Sequence, residues 1–501
     1  MEWRLVEKWA AQGTLPSFRH LLQDGLRARL SSFADCLPDT VWTTLCYGVN
    51  PGKLEKYFYL QYDPDTAALR YAPDTELCGT PFWQHLRLAG KRVGVVDIPH
   101  LPFHEITNGF HLMGWGAHDN KSGAVASPSS LLSDVEARFG RYPVRDCERY
   151  NTSSRSRLRR DVLAGVQNQG ELFRWLMQTR PWDVFLCSFS AAHCAGHHFW
   201  SDMDPDHPLH DPRDAQRLAD TIEQTYRAID REIGDMIRLA GPETRILVVA
   251  PHGMGPLSHG SWNLNEILDL LGFGRTGGPG RSMESDHRRG RINPWRIAKM
   301  VVPSRWQYAI KERLPKSIQD HLLFLWYAGG RRYRGRRAFS VPNNEVVGAI
   351  RIAVKGRDYG GLVEPGDDYR RLCLEITEAL YELTDPVTGY RVVTKVMTLQ
   401  DTFHGPFVGR LPDLAVLWNS TFCWESVHSP RFGTLRLSRQ DKRTASHTPS
   451  SFLLAIGPGV PAGAELKGHC TLDIGPTVLE SAGVAVPDHM DGSPLPFSFM
   501  R

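Results

Sequence analysis

Paired cysteines, a long apolar run and a strong charge of either sign are all missing from this chain. Its 501 residues include nine cysteines, an odd number, with no CxxC pair. That excludes a disulfide scaffold and a cysteine-based structural zinc site, and it points to a reduced, cytoplasmic setting. The opening MEWRLVEKWAAQG lacks the apolar core of a signal peptide. The longest apolar run of the basic middle region, HLLFLWYAGG, is too short to cross a bilayer, so no membrane association is expected. A formal net charge of +4 gives no reason to expect a nucleic-acid partner. There is no internal repeat.

What the chain does have is core-forming material, 41% hydrophobic and 10% aromatic, enough for a large interior. The runs KRVGVVDIPH, WDVFLCSFS and TRILVVAPHG are apolar, rich in β-branched or aromatic residues, and end in polar ones. They read as buried strands. Between them lie helical segments, PFWQHLRLAG, RDVLAGVQNQGELFRWLMQ and the long DAQRLADTIEQTYRAIDREIGDMIRLAG. Strands alternating with helices predict an α/β protein with a doubly wound, mostly parallel sheet. Around residues 274–345 the character changes to Gly- and Arg-rich runs enclosing one expected helix, RWQYAIKERLPKSIQDHLLFLWYAG. The expected organisation is therefore an N-terminal part of the α/β core over 1–273, a basic helical and loop insertion over 274–345, and a C-terminal part of the core over 346–501.

Ligands of open α/β sheets bind outside the carboxyl ends of the strands, and that is where the histidines gather. In CSFSAAHCAGHHFW, His193 and His197 follow an apolar strand and stand four residues apart. On a helix both imidazoles face one way and can share a metal ion; Gly196 between them permits close approach of another segment. His198 is incidental. His252, in APHGMGP, follows the next strand, and His447, in SHTPSSFLLAIGPG, precedes another. Three neutral imidazoles with one open position form a catalytic zinc arrangement, so the expected cofactor is a divalent metal, zinc first and manganese as an alternative. Core or surface histidines are the competing reading of each alone.

Hydroxyls cluster in CLPDTVWTTLCYGVNPGK, at Thr40, Thr43 and Thr44. A hydroxyl becomes a nucleophile only when a base or a metal lowers its pKa. Beside a metal Thr40 qualifies; without one, Thr40 or Asp39 is a helix cap. The stretch SDMDPDHPLHDP reads as a solvated loop, the alternative being that its acids and histidines supply a ligand or shape the substrate pocket. Arg351 and Lys355 could bind a substrate anion or form strand-end salt bridges.

Several blocks together resemble the alkaline phosphatase superfamily, in its type I phosphodiesterase/nucleotide pyrophosphatase branch. They are EWRLVEKWAAQGTLPSFRHLLQDGLRARL, PDTVWTTLCYGVNPGK, WDVFLCSFSAAHCAGHHFW, VVAPHGMG, SHTPSSFLLAIGPGV and DIGPTVLESAGVAVPDHMDGSPL, in the expected order. The resemblance implies a doubly wound core, two divalent metals, usually zinc, and a Thr or Ser nucleophile forming a covalent phospho-enzyme. Its first metal falls on His193, His197 and His447, with His193 in place of the usual acid. Of the second metal's Asp–His pair only His252 is present, because Pro251 stands where the Asp is expected. The first strand of the family, with its metal-binding Asp, is missing before Met1. The usual nucleophile position falls nearer Pro38; Thr40 is the nearest hydroxyl, with Thr43 and Thr44 as the alternatives.

These readings imply a metal-dependent hydrolase of small phosphate esters, of phosphodiesterase/nucleotide pyrophosphatase type, working through Thr40 or a metal-bound water with one or two ions. The alternative is a superfamily member that has lost catalysis and acts by binding.

Overall fold

The computed structural model describes residues 1–117, 123–144, 146–147, 150, 154–257, 259–274, 333–438 and 443–497. Most of the expected insertion, with its expected helix, lies outside these residues.

The strands of the first half are β1 (Leu26–Ser31), the β2 (Leu60–Asp63) and β3 (Ala68–Tyr71) hairpin, β4 (Val93–Val96), β5 (Phe110–Met113), β6 (Val125–Ser127), β7 (Val184–Cys187), β8 (Ile246–Ala250) and β9 (Gly253–Pro256). Those of the second half are β10 (Ala338–Val341), β11 (Val347–Ile352), β12 (Val393–Thr398), β13 (Leu414–Trp418), β14 (Ser426–Ser429), β15 (Gly433–Arg436), β16 (Ala445–Thr448), β17 (Ser451–Ile456) and β18 (Glu465–Cys470). The protein is α/β, and its sheets combine parallel and antiparallel pairs. One sheet runs β18-β1-β17-β8 and a second β6-β5-β4-β7, with β4 parallel to both β5 and β7. A third, β10-β11-β13-β12, is antiparallel throughout.

Alternation places the strands between two cores. In β17, Phe452 and Leu454 face one cluster while Leu453 and Ala455 face the other. In β7, Phe185 and Cys187 pack against the first cluster, Val184 and Leu186 against the second; in β8, Val248 and Val249 divide the same way. The first two sheets therefore share a core on each face. Among the described residues β7 and β8 are the edge strands of their sheets, and their apolar side chains from Val184 to Cys187 and from Ile246 to Val249 are only half-buried.

The helices that matter for the site are α1 (Trp3–Ala11), α2 (Pro16–Asp24), α3 (Val41–Tyr47), α4 (Phe82–Leu88), α5 (Ser130–Phe139), α6 (Arg155–Thr179) and α7 (Ala191–Met203). In α1 the buried residues Trp3, Val6, Trp9 and Ala10 form the single stripe that an amphipathic helix needs. The long segment after α7 is two helices, α8 (Pro212–Leu218) and α9 (Thr221–Ala240), not one. Asp211, which caps α8 by accepting from Arg213 N, and Pro212 at its first position set where the first of the two begins.

Candidate metal centre

The site forms where α7, β9 and β16 meet. His193 and His197 lie one turn apart on α7, with ring centroids 4.4 Å apart and planes near perpendicular, at 84°. His447, in β16, brings its ring to 5.0 Å from His193 and 5.3 Å from His197. One ligand atom from each of these three side chains lies within 4.8 Å of the other two. His252, between β8 and β9, stands at 4.2 Å from the ring of His447 and 5.9 Å from that of His193. All four histidines singled out in the sequence thus converge, three as one compact group and His252 at its side.

Local structure explains the convergence. Strands β9 and β16 pair antiparallel, setting His447 opposite Met254 and Thr448 opposite Gly253. Gly196 leaves room on α7 for Met254: a Cβ there would come within 2.8 Å of the Met254 side chain. The helix and β16 are then stapled. His197 Nδ1 donates to the Ala445 carbonyl at 2.7 Å, Thr444 N donates to the His197 carbonyl at 2.8 Å, and His207 Nε2 donates to the Thr444 carbonyl at 2.9 Å.

These bonds fix tautomers. A carbonyl only accepts, so His197 carries its proton on Nδ1 and, when neutral, points the lone pair of Nε2 inward. His252 Nδ1 likewise donates to the Gly253 carbonyl at 3.0 Å. Enclosure of its ring, above all, lowers the His252 pKa to about 4, so the imidazole stays neutral around pH 7. The Nε2 atoms of His193 and His197 lie 3.1 Å apart. A cation or a proton must sit between two such lone pairs. In tetrahedral zinc coordination, bonds of 2.0–2.1 Å place neighbouring nitrogens about 3.4 Å apart. The donor set therefore fits an ion, and an imidazole-rich set suits zinc better than magnesium or calcium.

Thr40 sits at the head of α3, buried. Its Oγ1 donates to the Leu37 carbonyl at 2.8 Å rather than capping the helix. Among the described residues, none of its hydrogen bonds reaches an imidazole. Thr43 and Thr44 bond to the carbonyls of His100 and Val41. The neighbouring Asp39 does connect to the site: Asn344 Nδ2 lies 3.2 Å from Asp39 Oδ1 and 3.4 Å from His447 Nδ1. Pro251 accepts a 2.8 Å bond from Ser32 Oγ on its carbonyl, which anchors the residue before His252.

For Arg351 and Lys355 the structure realises the salt-bridge alternative. Arg351 is 1% exposed and donates through Nε to Asp358 at 2.7 Å, so it braces the third sheet and does not bind a substrate anion. Lys355 pairs with Glu364 at the surface. Of the stretch read as a solvated loop, the first three residues continue α7, and three members are buried: Ser201, Asp202, paired with Arg155, and His207. Sequence reading also passed over Glu2, Asn344 and Asp97. Asp97, after β4, accepts from the backbone of Trp115 and Gly116, and Ser190 at the start of α7 donates to the Gly116 carbonyl. No spacing in the sequence signals these links, which join residues up to hundreds of positions apart.

The sequence profile of the family described as type I phosphodiesterase/nucleotide pyrophosphatase matches residues 1–416. No curated protein shows significant sequence similarity to the chain. Among solved structures, it is similar to human ectonucleotide pyrophosphatase/phosphodiesterase 5, at 13% identity, TM-score 0.46, covering 96% of this chain and 92% of that one. It is also similar to phosphonoacetate hydrolase from Sinorhizobium meliloti 1021, at 15% identity, TM-score 0.47, covering 93% and 90%. No described helix is long and apolar enough to cross a membrane.

Proposed function

The chain belongs to the type I phosphodiesterase/nucleotide pyrophosphatase family of the alkaline phosphatase superfamily, and from that premise we propose that it hydrolyses small phosphate esters at a divalent metal centre. His193, His197 and His447 hold the ion, with zinc the favoured metal, and His252 stands beside them. The observation that carries the reading is the approach of His193 Nε2 to His197 Nε2 at 3.1 Å, with His447 completing the group.

Bound there, a divalent ion supplies Lewis acidity toward a phosphoryl oxygen and toward water. The chain's own residues do the rest. The Ala445 carbonyl holds the His197 ring in its ligating tautomer. His252, kept neutral with its proton on Nδ1, offers Nε2 as a hydrogen-bond acceptor beside the centre. Asn344 ties the loop carrying Asp39 and Thr40 to His447.

Two nucleophiles fit the proposal, Thr40 Oγ1 and water. Thr40 is 1% exposed and its hydroxyl is committed to Leu37. Attack by Thr40 needs that bond broken and the side chain turned. This observation favours water.

The test is turnover of a chromogenic phosphodiester such as bis(p-nitrophenyl) phosphate. Chelation abolishes it and added zinc restores it if the reading is right. Undiminished turnover in a metal-free preparation rejects the metal centre, and absence of turnover by the zinc-loaded chain on any phosphate ester favours a binding role.

A further inference from the structure

A buried carboxylate underlies the two strands that carry His252 and His447. Glu2, at the head of α1, is 7% exposed. Its Oε2 accepts from Met254 N at 3.1 Å and from Thr448 Oγ1 at 3.1 Å. Met254 follows His252 by two residues, and Thr448 follows His447 by one. The carboxylate therefore bridges β9 and β16 at the point where their pairing sets Gly253 against Thr448 and Met254 against His447. Gly253 is part of the fit, since a Cβ there would stand 2.1 Å from Glu2 Oε2. Any side chain at 253 would expel the carboxylate.

Glu2 is itself held in place. Its backbone N donates to the Tyr226 hydroxyl at 2.7 Å, and its Oε1 lies 3.5 Å from Arg4 N, the capping contact of α1. An enclosed carboxylate is costly unless its lone pairs are used. Here the donors come from the strand ends that present the imidazoles, not from a basic side chain. No basic side chain pairs with Glu2 among the described residues; the cationic group coupled to it is the Met1 α-amino group, whose pKa burial lowers to about 6, so that around pH 7 it is mostly neutral, and the carboxylate lies near a set of imidazoles that ligate only when neutral. A dication bound by uncharged imidazoles gains from such a charge close by.

Resting on the metal reading above, we propose that Glu2 is a positioning residue of the metal centre: its carboxylate clamps β9 to β16 beside His252 and His447 and supplies the negative charge that the imidazoles lack. Glu2→Gln keeps an acceptor oxygen and removes the charge. Glu2→Ala removes both. Thr448→Val removes one donor to the clamp, and Tyr226→Phe removes only the partner of the Glu2 backbone.

The experiment measures cobalt(II) and zinc affinity of the full chain by competition with a chromophoric chelator, the cobalt absorption spectrum, and the melting temperature without metal. Second-sphere changes at metal sites cost about 10- to 100-fold in affinity. The expected result is a loss in that range for Glu2→Gln, a larger loss for Glu2→Ala and a smaller one for Thr448→Val. Tyr226→Phe should bind within about two-fold of wild type. The melting temperature of metal-free Glu2→Gln should stay near wild type, which a merely structural role would not allow alongside weakened binding. Equal affinities of wild type, Glu2→Gln and Thr448→Val overturn this inference alone. Failure of the wild type to bind either metal overturns the metal reading, and this inference falls with it.

Discussion

His193 Nε2 and His197 Nε2 face each other at 3.1 Å across one turn of α7. Because His197 Nδ1 donates to the Ala445 carbonyl, the His197 ring is held by the fold with Nε2 toward His193. Replacing His197 by Ala should weaken zinc binding by more than about 100-fold. His198→Ala, one residue on, should leave it unchanged. Equilibrium dialysis with metal analysis measures both; equal loss in the two variants would assign the effect to α7 as a whole.

Thr40→Ala separates the two nucleophiles. If water attacks, turnover of the phosphodiester should fall by less than about ten-fold, reflecting only the lost bond to Leu37. A fall of about 1,000-fold or more, together with a trapped phospho-enzyme in the wild type that vanishes in the variant, would make Thr40 the attacking group.

How much of this was legible in the sequence follows from what each feature depends on. Apolar, β-branched runs announce strands, so β4, β7, β8, β13 and β17 lie where those runs are, but composition did not show that β7 and β8 are only half-buried at the edges of their sheets. The i,i+4 spacing of His193 and His197 is local too, and the placement of His252 and His447 next to apolar strands was enough to nominate them. The contacts of Glu2 with Met254 and Thr448, and of Asn344 with Asp39 and His447, depend on elements folded against one another from distant parts of the chain. Neither residue type nor spacing encodes them. Arg351 shows a choice the sequence leaves open: a basic residue near a strand end can bind an anion or form an ion pair, and only its burial against Asp358 decides for the ion pair.

That Arg351 pair gives a stability prediction. Asp358 accepts from Arg351 and from Arg357, and Asp413, fully buried, accepts from Arg357. Asp358→Ala leaves an enclosed guanidinium without its main partner and should destabilise the fold by about 3–5 kcal/mol. Chemical denaturation measures the loss. A change below about 1 kcal/mol would mean that water replaces the carboxylate.

His111, in β5, gives a pH dependence remote from the metal centre. Its ring is 2% exposed, stacks on Phe103 at 4.9 Å and donates through Nδ1 to the His104 carbonyl. Burial lowers its pKa to about 4 from an ordinary 6.5. The neutral form favours the folded state, so this contribution is complete above pH 6.5 and is lost as pH falls toward 4, where the folded ring also protonates. The loss is up to about 3 kcal/mol. His252 titrates in the same window, so denaturation between pH 4 and 7 should show a steeper slope in the wild type than in His111→Gln; parallel curves would place the titration elsewhere.

The most direct measurement is X-ray absorption at the zinc edge on the zinc-loaded chain. Three histidine nitrogens at about 2.0–2.1 Å are predicted in the first shell, reduced to two in His447→Ala. A shell containing sulfur, or one that stays the same when residues 193, 197 and 447 are changed in turn, would contradict the account.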